Sequence, residues 1–375
     1  MGNPTSKVSR RKFIKGGAAV AGGAAAAVSM PNVSRAQTVT LKMQGAWGAN
    51  DIFNEMAQQY VDRVNELGGG RLKIDYLVSG AVVKAFQVMD AVHRGVLDAG
   101  HEVCVYWYGK SKIASLFGTG PVFGQNAHEG LAWINAGGGK ELYAETLDKL
   151  GLNVVGFFAM PMPTQPLGWF KEPVTDASQM QGLKYRTVGL AADLMQEMGA
   201  KVTQLPGGEI IPAMEKGVID AFEYNNPTSD SRFGAQDVAN VYMLGSFHQA
   251  AEFFEILFNK DVYEGLAPEQ QKILEYSAEA ASTANFALAM DNYSRDLQKL
   301  KEQGVKITRT PTSVMSDQLK AWDVLLARIE AEDPEFKKVT ASLKDWSHRV
   351  AYYELLDACD YKLAFDHYFP DELGF

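Results

Sequence analysis

The stretch Gly182–Asn226, GLKYRTVGLAADLMQEMGAKVTQLPGGEIIPAMEKGVIDAFEYNN, decides the fold of this chain. Three strand-like runs, Leu183–Thr187, Ala200–Leu205 and Val218–Asn225, alternate with two helical ones. Such alternation implies parallel strands with helices packed on the sheet. The first run carries Arg186 near its end and the last carries Glu223. Ligands in sheets of this kind lie beyond the carboxyl ends of strands. A permanent cation and a carboxylate placed there mark a candidate cleft.

Upstream, Val39–Trp47 alternates as a strand, and Asp51 caps a helix with Ile52, Met56, Tyr60 and Val64 at helical spacing. Gly68–Gly70 stops that helix. Arg71–Val78 and Ala99–Tyr106 read as further strands around a helical Ala85–Val96, and Tyr106-Trp107-Tyr108 forms an aromatic cluster at the end of the last strand. Helical runs at Ala127–Asn135 and Lys140–Leu150 and a strand at Leu152–Ala159 follow, before Pro161, Pro163 and Pro166 break regular structure. A strand at Leu167–Lys171 then leads into the opening stretch. Downstream, Glu252–Asn259 reads as a long strand returning to the first domain. Helices are expected over Pro268–Gln303, Ser313–Ala331 and Thr340–Phe365, with one strand at Val305–Arg309. The expected fold is an α/β two-domain clamshell with mixed sheets, hinge crossings and long C-terminal helices. Domain I takes residues 37–160 and 250–310, domain II 161–249, and a helical segment 311–375. A split first domain joined by two crossings is what hinge closure over a ligand requires.

The chain has 375 residues, 46% of them hydrophobic, enough for two full cores. Residues 1–36 read as an export leader. Arg10-Arg11-Lys12 is followed by a Gly/Ala-rich run, Gly16–Met30, and by Ser34-Arg35-Ala36 with small residues at the cleavage positions. This is a twin-arginine signal, with the mature chain starting near Gln37 in the periplasm. As a membrane anchor the run is too short and too rich in Gly and Ala to span ~30 Å of hydrocarbon. Removing its six basic residues (Lys7, Arg10, Arg11, Lys12, Lys15 and Arg35) from the 36 in the chain leaves 30 against 45 acidic ones, a formal charge of −15. Nucleic acid and anionic membrane are therefore poor partners. Cys104 and Cys359 lack metal-ligand spacing; a disulfide between them stays open, and Cys104 reads as a small core residue.

Signatures of catalysis are few. No His-Glu-x-x-His or Gly-x-Ser-x-Gly pattern occurs. Gly137-Gly138-Gly139-Lys140 lacks the earlier glycine and the following Ser/Thr of a phosphate loop and reads as a helix start. Gly207-Gly208 is either a turn or a pair of amides for an anion, and His101 with Glu102 is a structural pair or cleft wall. The guanidinium of Arg186 matches a carboxylate in a two-bond fork. Glu223 beside an anionic ligand needs a proton, an arginine or a metal. Gln165, Glu223 and the carbonyls after it supply only oxygen, which suits Na⁺ or Ca²⁺. The alternative is a plain Arg186–Glu223 ion pair.

The runs GLKYRTVG and LPGGEIIPAMEKGVIDAFEY resemble the extracytoplasmic solute-binding proteins of tripartite ATP-independent periplasmic (TRAP) transporters. Phe86–Gly95, Tyr108-Gly109-Lys110, Gln165–Phe170 and Phe258-Asn259-Lys260 extend the resemblance over essentially the whole mature chain, with the branch that binds 2-oxo or 2-hydroxy monocarboxylates and a metal ion as its best match. It implies a periplasmic binding protein, not an enzyme, that delivers a small organic acid to membrane-embedded permease subunits. Arg186 would grip the ligand carboxylate, Gln165 would touch ligand and metal, and Glu223 and the Tyr224 carbonyl would complete the metal shell of Na⁺ or Ca²⁺. Tyr106 would hydrogen-bond the ligand, and no organic cofactor is expected. Homodimerisation through a C-terminal helix, here Thr340–Phe365, is implied as well. In place of the family's Trp-Trp-Glu-Gly-Gly-like run stands Phe247-His248-Gln249-Ala250-Ala251, which puts Gln249 where an acid is usual, and Tyr224 stands for a common Trp. Two rival readings stay open: an exported cofactor-dependent enzyme acting on a carboxylate, and a ligand-sensing subunit.

Overall fold

The computed structural model describes residues 38–121 and 123–374. The leader expected over residues 1–36 lies outside the described residues. The first part of the chain contributes β1 (Val39–Gly45), α1 (Ile52–Leu67), β2 (Leu72–Leu77), α2 (Val88–His93), β3 (Ala99–Glu102), β4 (Thr119–Gly120), α3 (Ala127–Ala136), α4 (Gly139–Lys149) and β5 (Val154–Met162). The opening stretch lies within β6 (Gly168–Phe170), β7 (Lys184–Arg186), α5 (Gly189–Glu197), β8 (Lys201–Thr203), α6 (Ile210–Glu215), β9 (Ala221–Phe222), α7 (Pro227–Arg232) and β10 (Val241–Leu244). The remainder is β11 (Ala251–Asn259), α8 (Lys260–Glu264), α9 (Pro268–Glu302), β12 (Lys306–Arg309), α10 (Thr312–Glu332), α11 (Pro334–Asp357) and α12 (Tyr361–Tyr368).

Two mixed sheets result. The first runs β2-β1-β3-β11-β4, with β5 on the other side of β11; the second runs β12-β10-β6-β9-β7-β8. β1 pairs parallel with β2 and β3, and β7 parallel with β8 and β9, the pattern that strand-helix alternation dictates. Asp51 does cap α1, accepting from the Phe53 amide at 3.1 Å. Its apolar stripe, with Ile52, Met56, Tyr60 and Val64 all at most 1% exposed, lies on the first sheet. Every residue of β11 is buried, because helices cover both faces.

Several boundaries differ from the sequence reading, for local reasons. The helix expected over 85–96 is a 3₁₀ turn, Ala85–Gln87, followed by the short α2. The strand expected over 99–106 ends at Glu102, and Cys104–Trp107 turns as a 3₁₀ helix, so Tyr106 sits on a turn. Pro161 does not break β5. It lies where the register against β11 shifts, next to Met160 at φ 58°, and a bulge is where a strand tolerates a residue with no N–H to donate. The strand near 306, expected with the first domain, pairs parallel with β10 of the second sheet. Linking the two sheets is α9, a 35-residue helix of roughly 52 Å started by Pro268. The C-terminal helix begins earlier than Thr340 and is interrupted after Asp357. Cys104 is buried and Cys359 exposed, both as free thiols, so the disulfide left open does not form.

One apolar cluster runs without a break from Trp47 and Phe254 of the first sheet to Trp169 and Phe222 of the second, so the clamshell is shut. Gly189 makes that contact possible: at φ 63°, a Cβ here would stand 1.9 Å from Cγ2 of Val105 across the gap.

Candidate functional site

Where the two sheets meet, Trp47, Phe53, Val105, Tyr106, Gln249 and Glu252 from one side face Gln165, Arg186, Val188, Tyr224 and Asn225 from the other. The cavity between them measures about 10 Å³, the space one water needs. It brings together every ligand and metal residue named from the sequence, with Glu223 joined through its bond to Arg186.

Arg186 ends β7, its neighbours Lys184 exposed and Tyr185 buried. It is 1% exposed. Nε and Nη2 donate to the Leu205 carbonyl at 2.9 and 2.7 Å, while Nη1 donates to the Glu223 carbonyl and to Glu223 Oε1 at 2.7 and 2.8 Å. The ion pair kept open in the sequence reading is therefore present, and one Nη2 N–H of the fork is uncommitted. The register that sets Arg186 opposite Phe222 delivers Glu223 to it: the Glu223 amide donates to the Arg186 carbonyl at 3.1 Å. Gly168, at φ 126°, lets β6 approach β9; a Cβ there would fall 2.2 Å from the Phe222 carbonyl.

The missed residue is Glu252, the first acid of β11. It is 4% exposed, and its Oε2 accepts short hydrogen bonds from the carboxamides of Gln165 and Asn225; Thr119 Oγ1 lies 3.4 Å from Oε1. Only an acid near the start of a largely apolar strand hinted at it. Burial pushes the Glu252 carboxyl up to about 7, against the pull of those donors and of Arg186. Glu223 is likewise pushed up to about 7 by burial, with Arg186 and the Thr187 hydroxyl pulling it down and Glu252 pushing it further up.

The remaining polar groups separate into filled and unfilled ones. The Gln165 and Gln249 side-chain oxygens are buried and accept no hydrogen bond. Tyr106 accepts from the Trp47 indole at 3.2 Å and lines the cavity from its turn. His101 is packed among Trp47 and Phe254 and does not line the cavity; burial pushes it down to about 3, so it is a neutral core residue. His248 bonds Ser246 through Nδ1 and is also pushed down to about 3 by burial and by Arg186. Glu102 is not its neighbour's partner: it pairs in register with Glu255 inside the first sheet. Gly207 opens a 3₁₀ turn against the Tyr224 ring, where a Cβ would meet ring carbon at 2.5 Å, which accounts for the glycine as packing. Gly138 starts α4, as expected for the glycine run.

Closure is held at the rim by polar contacts on two sides. The Tyr224 hydroxyl donates to Asp51 Oδ2 and Ser229 Oγ to Asp51 Oδ1, both at 2.7 Å, and Arg232 pairs with Glu55 at 2.6 Å. On the opposite side, Tyr108 donates to Asp193, which also meets Lys112 Nζ at 2.8 Å. Asp51 thus caps α1 and bonds the second lobe at once.

An arginine, two carboxylates and unpaired amide oxygens in a shut apolar cavity are equipment for holding a small anion with a hard cation. Among the described residues no group of three or more His, Cys, Asp or Glu could hold a metal, so such an ion would rely on amide and carbonyl oxygens beside the carboxylates.

Comparison with known proteins agrees with this geometry. A monocarboxylate 2-oxoacid-binding periplasmic protein from a Nostoc species is 29% identical over 310 residues, covering 82% of this chain and 83% of the relative. A TRAP periplasmic solute-binding protein from Colwellia psychrerythraea, solved with calcium and pyruvate, superposes with a TM-score of 0.81 at 30% identity, covering 88% of this chain and 100% of its own. Its counterpart from Pseudoalteromonas atlantica, with sodium and pyruvate, gives 0.81 at 29%, covering 89% and 100%. The model of the bacterial extracellular solute-binding proteins of family 7, DctP, matches residues 43–333. With that match over most of its length, the chain belongs to the DctP family of TRAP solute-binding proteins.

Proposed function

We propose that this chain captures a small 2-oxo or 2-hydroxy monocarboxylate together with Na⁺ or Ca²⁺ in the periplasm and delivers it to the membrane permease of a TRAP transporter. The observation that carries the reading is the convergence on one shut cavity of Arg186, Glu223 and the unpaired Gln165 and Gln249 oxygens. Arg186 takes the carboxylate, keeping Glu223 and the Leu205 carbonyl as its buttress. Gln165, Glu223 and the Tyr224 carbonyl would hold the cation, which would supply positive charge beside the bound anion. Tyr106 and Gln249 orient the acid, and the apolar walls exclude water, which strengthens the charge pairing. The relatives' pyruvate, calcium and sodium support the chemistry. The catalytic rival finds no corresponding support in the family.

Two further parts belong to this reading. Export by the twin-arginine route, with cleavage before Gln37, would place the folded chain in the periplasm. Homodimerisation would cover the end of α11 and α12, where Leu355, Leu356, Tyr361 and Leu363 are 69–76% exposed and α12 buries no residue of its own. The test of the whole is a thermal-shift and calorimetric screen of organic acids with and without added NaCl and CaCl₂. Stabilisation by a 2-oxo or 2-hydroxy acid that requires one of the cations is expected. Indifference to every monocarboxylate would overturn the reading.

A further inference from the structure

The family resemblance carries over Gln165, Glu223 and Tyr224 as cation residues, and says nothing of Glu252. Yet Glu252 makes the polar side of this cavity what it is. A carboxylate only accepts hydrogen bonds. Gln165 bonds Glu252, so it must turn its NH₂ to Glu252 and its carbonyl oxygen to the cavity, where that oxygen is buried and has no partner. Asn225 is set the same way, its NH₂ on Glu252 and its own oxygen taken by Asn226 at 2.8 Å. Without the acid, the Gln165 amide is free to flip and present N–H donors, which repel a cation.

Glu252 also alters the charge inside the cavity. The NH₂ groups of Gln165 and Asn225 and the Thr119 hydroxyl face it, and each favours its charged form against the burial that opposes it. The cavity thus holds one guanidinium and two carboxyl groups, Glu223 and Glu252, and a cation bound beside them favours the charged form of both. His248 is bonded to Ser246 and uncharged, and Asp51 at the rim is faced by Arg232. A bound monocarboxylate leaves a deficit of two positive charges. A divalent ion removes it, whereas a monovalent one leaves a net buried charge, which is costly in a site shut from water.

We propose that Glu252 makes this site selective for a divalent cation of the Ca²⁺ type over Na⁺, by fixing the Gln165 amide and by adding a second buried negative charge. The inference rests on the cation-assisted reading above and narrows it. Glu252 acts on the cation through Gln165 and through the field, as a positioning residue in the shell behind the ligands.

The test uses the exported chain stripped with EDTA and titrated with CaCl₂ or NaCl, each with and without pyruvate as probe. Thermal midpoint and calorimetric affinity are read for wild type, Glu252→Gln and Glu252→Asp. Wild type is expected to gain pyruvate-dependent stability with CaCl₂ at concentrations far below those at which NaCl acts. Glu252→Gln should lower Ca²⁺ affinity about 10–100-fold and Na⁺ affinity by less, since both ions lose the fixed Gln165 oxygen but only Ca²⁺ loses its charge balance, so the preference narrows. Glu252→Asp keeps the charge and should retain most of the preference, which separates lost charge from lost folding. Equal response of wild type to the two salts, or an unchanged preference in Glu252→Gln, overturns the inference while leaving the cation-assisted capture standing. Pyruvate binding that ignores both salts overturns the two together.

Discussion

Arg186 and Glu223 stand side by side at the ends of adjacent parallel strands, Nη1 2.8 Å from Oε1, with 1% and 0% of their side chains exposed. A buried pair of this kind is hard to break from one side, since the survivor keeps its charge without its partner. Arg186→Ala is expected to abolish acid binding in calorimetry. It should also destabilise the fold by about 3–5 kcal/mol in urea denaturation, because Glu223 and two carbonyls lose their donor. Arg186→Lys keeps the charge and loses the fork, so it should retain more stability than affinity.

The Tyr224 hydroxyl joins the cavity to the rim through Asp51. Tyr224→Phe removes that bond alone, leaving the ring against Gly207 and the backbone untouched. The loss of about 0.5–1.5 kcal/mol falls on the closed form only. Ligand release in stopped-flow should therefore quicken by a factor of about 2–10, with little change in overall stability.

Glu102 and Glu255 pair across β3 and β11, and burial pushes both carboxyls up, with the charge of Glu255 raising Glu102 further; the Trp107 indole donates to Glu255 at 3.1 Å. A folded-state value above the unfolded one means that the folded protein holds a proton the unfolded chain has released. The contribution is complete below the unfolded value near 4.5 and is lost as pH rises through the folded one. Glu255→Gln keeps an oxygen for Trp107 and sheds the charge. It should be about 1–4 kcal/mol more stable than wild type at pH 8, the difference fading towards pH 4.5. Differential scanning calorimetry across that range decides. His101 and His248, held near 3, act with the opposite sign and should cost stability as pH falls below about 6.5 in both proteins.

Replacing Arg10-Arg11 by two lysines keeps the charge of the leader and removes its twin arginine. Precursor should accumulate in the cytoplasm, and intact mass of the wild-type periplasmic protein should place the first residue near Gln37.

Ending the chain at Asp357 removes α12 with its exposed Tyr361, Leu363 and Tyr368. Sedimentation is expected to change from dimer to monomer, with acid binding retained, since none of the cavity residues lies beyond Glu252.

Much of this molecule is written in short-range patterns. The α1 stripe, the Asp51 cap, the glycine stop at 68–70 and the placement of Arg186 and Glu223 at strand ends all follow from spacing a few residues long, where side-chain period and backbone preference act directly. The motif spacing around Arg186 also carried the family, and with it Gln165, Tyr106, Tyr224 and Gln249. Strand ends were less legible: β3 stops at Glu102 and β5 continues through Pro161 because of what pairs with them, and pairing is not a local property.

What only the tertiary structure decided is which charges meet. Glu252 finds Gln165 across 87 residues and Tyr224 finds Asp51 across 173. In the sequence, Glu252 is one acid among 45 acidic residues and Asp51 a helix cap. Folding removes them from water, and a carboxylate in that setting is governed by the few donors that reach it. Spacing thus placed Arg186 and Glu223 at strand ends, and the family resemblance that the motifs carry pointed to a binding protein. The packing of two lobes decided which acids face the cavity, because burial makes the neighbours of a charge, and not its place in the chain, set its energy.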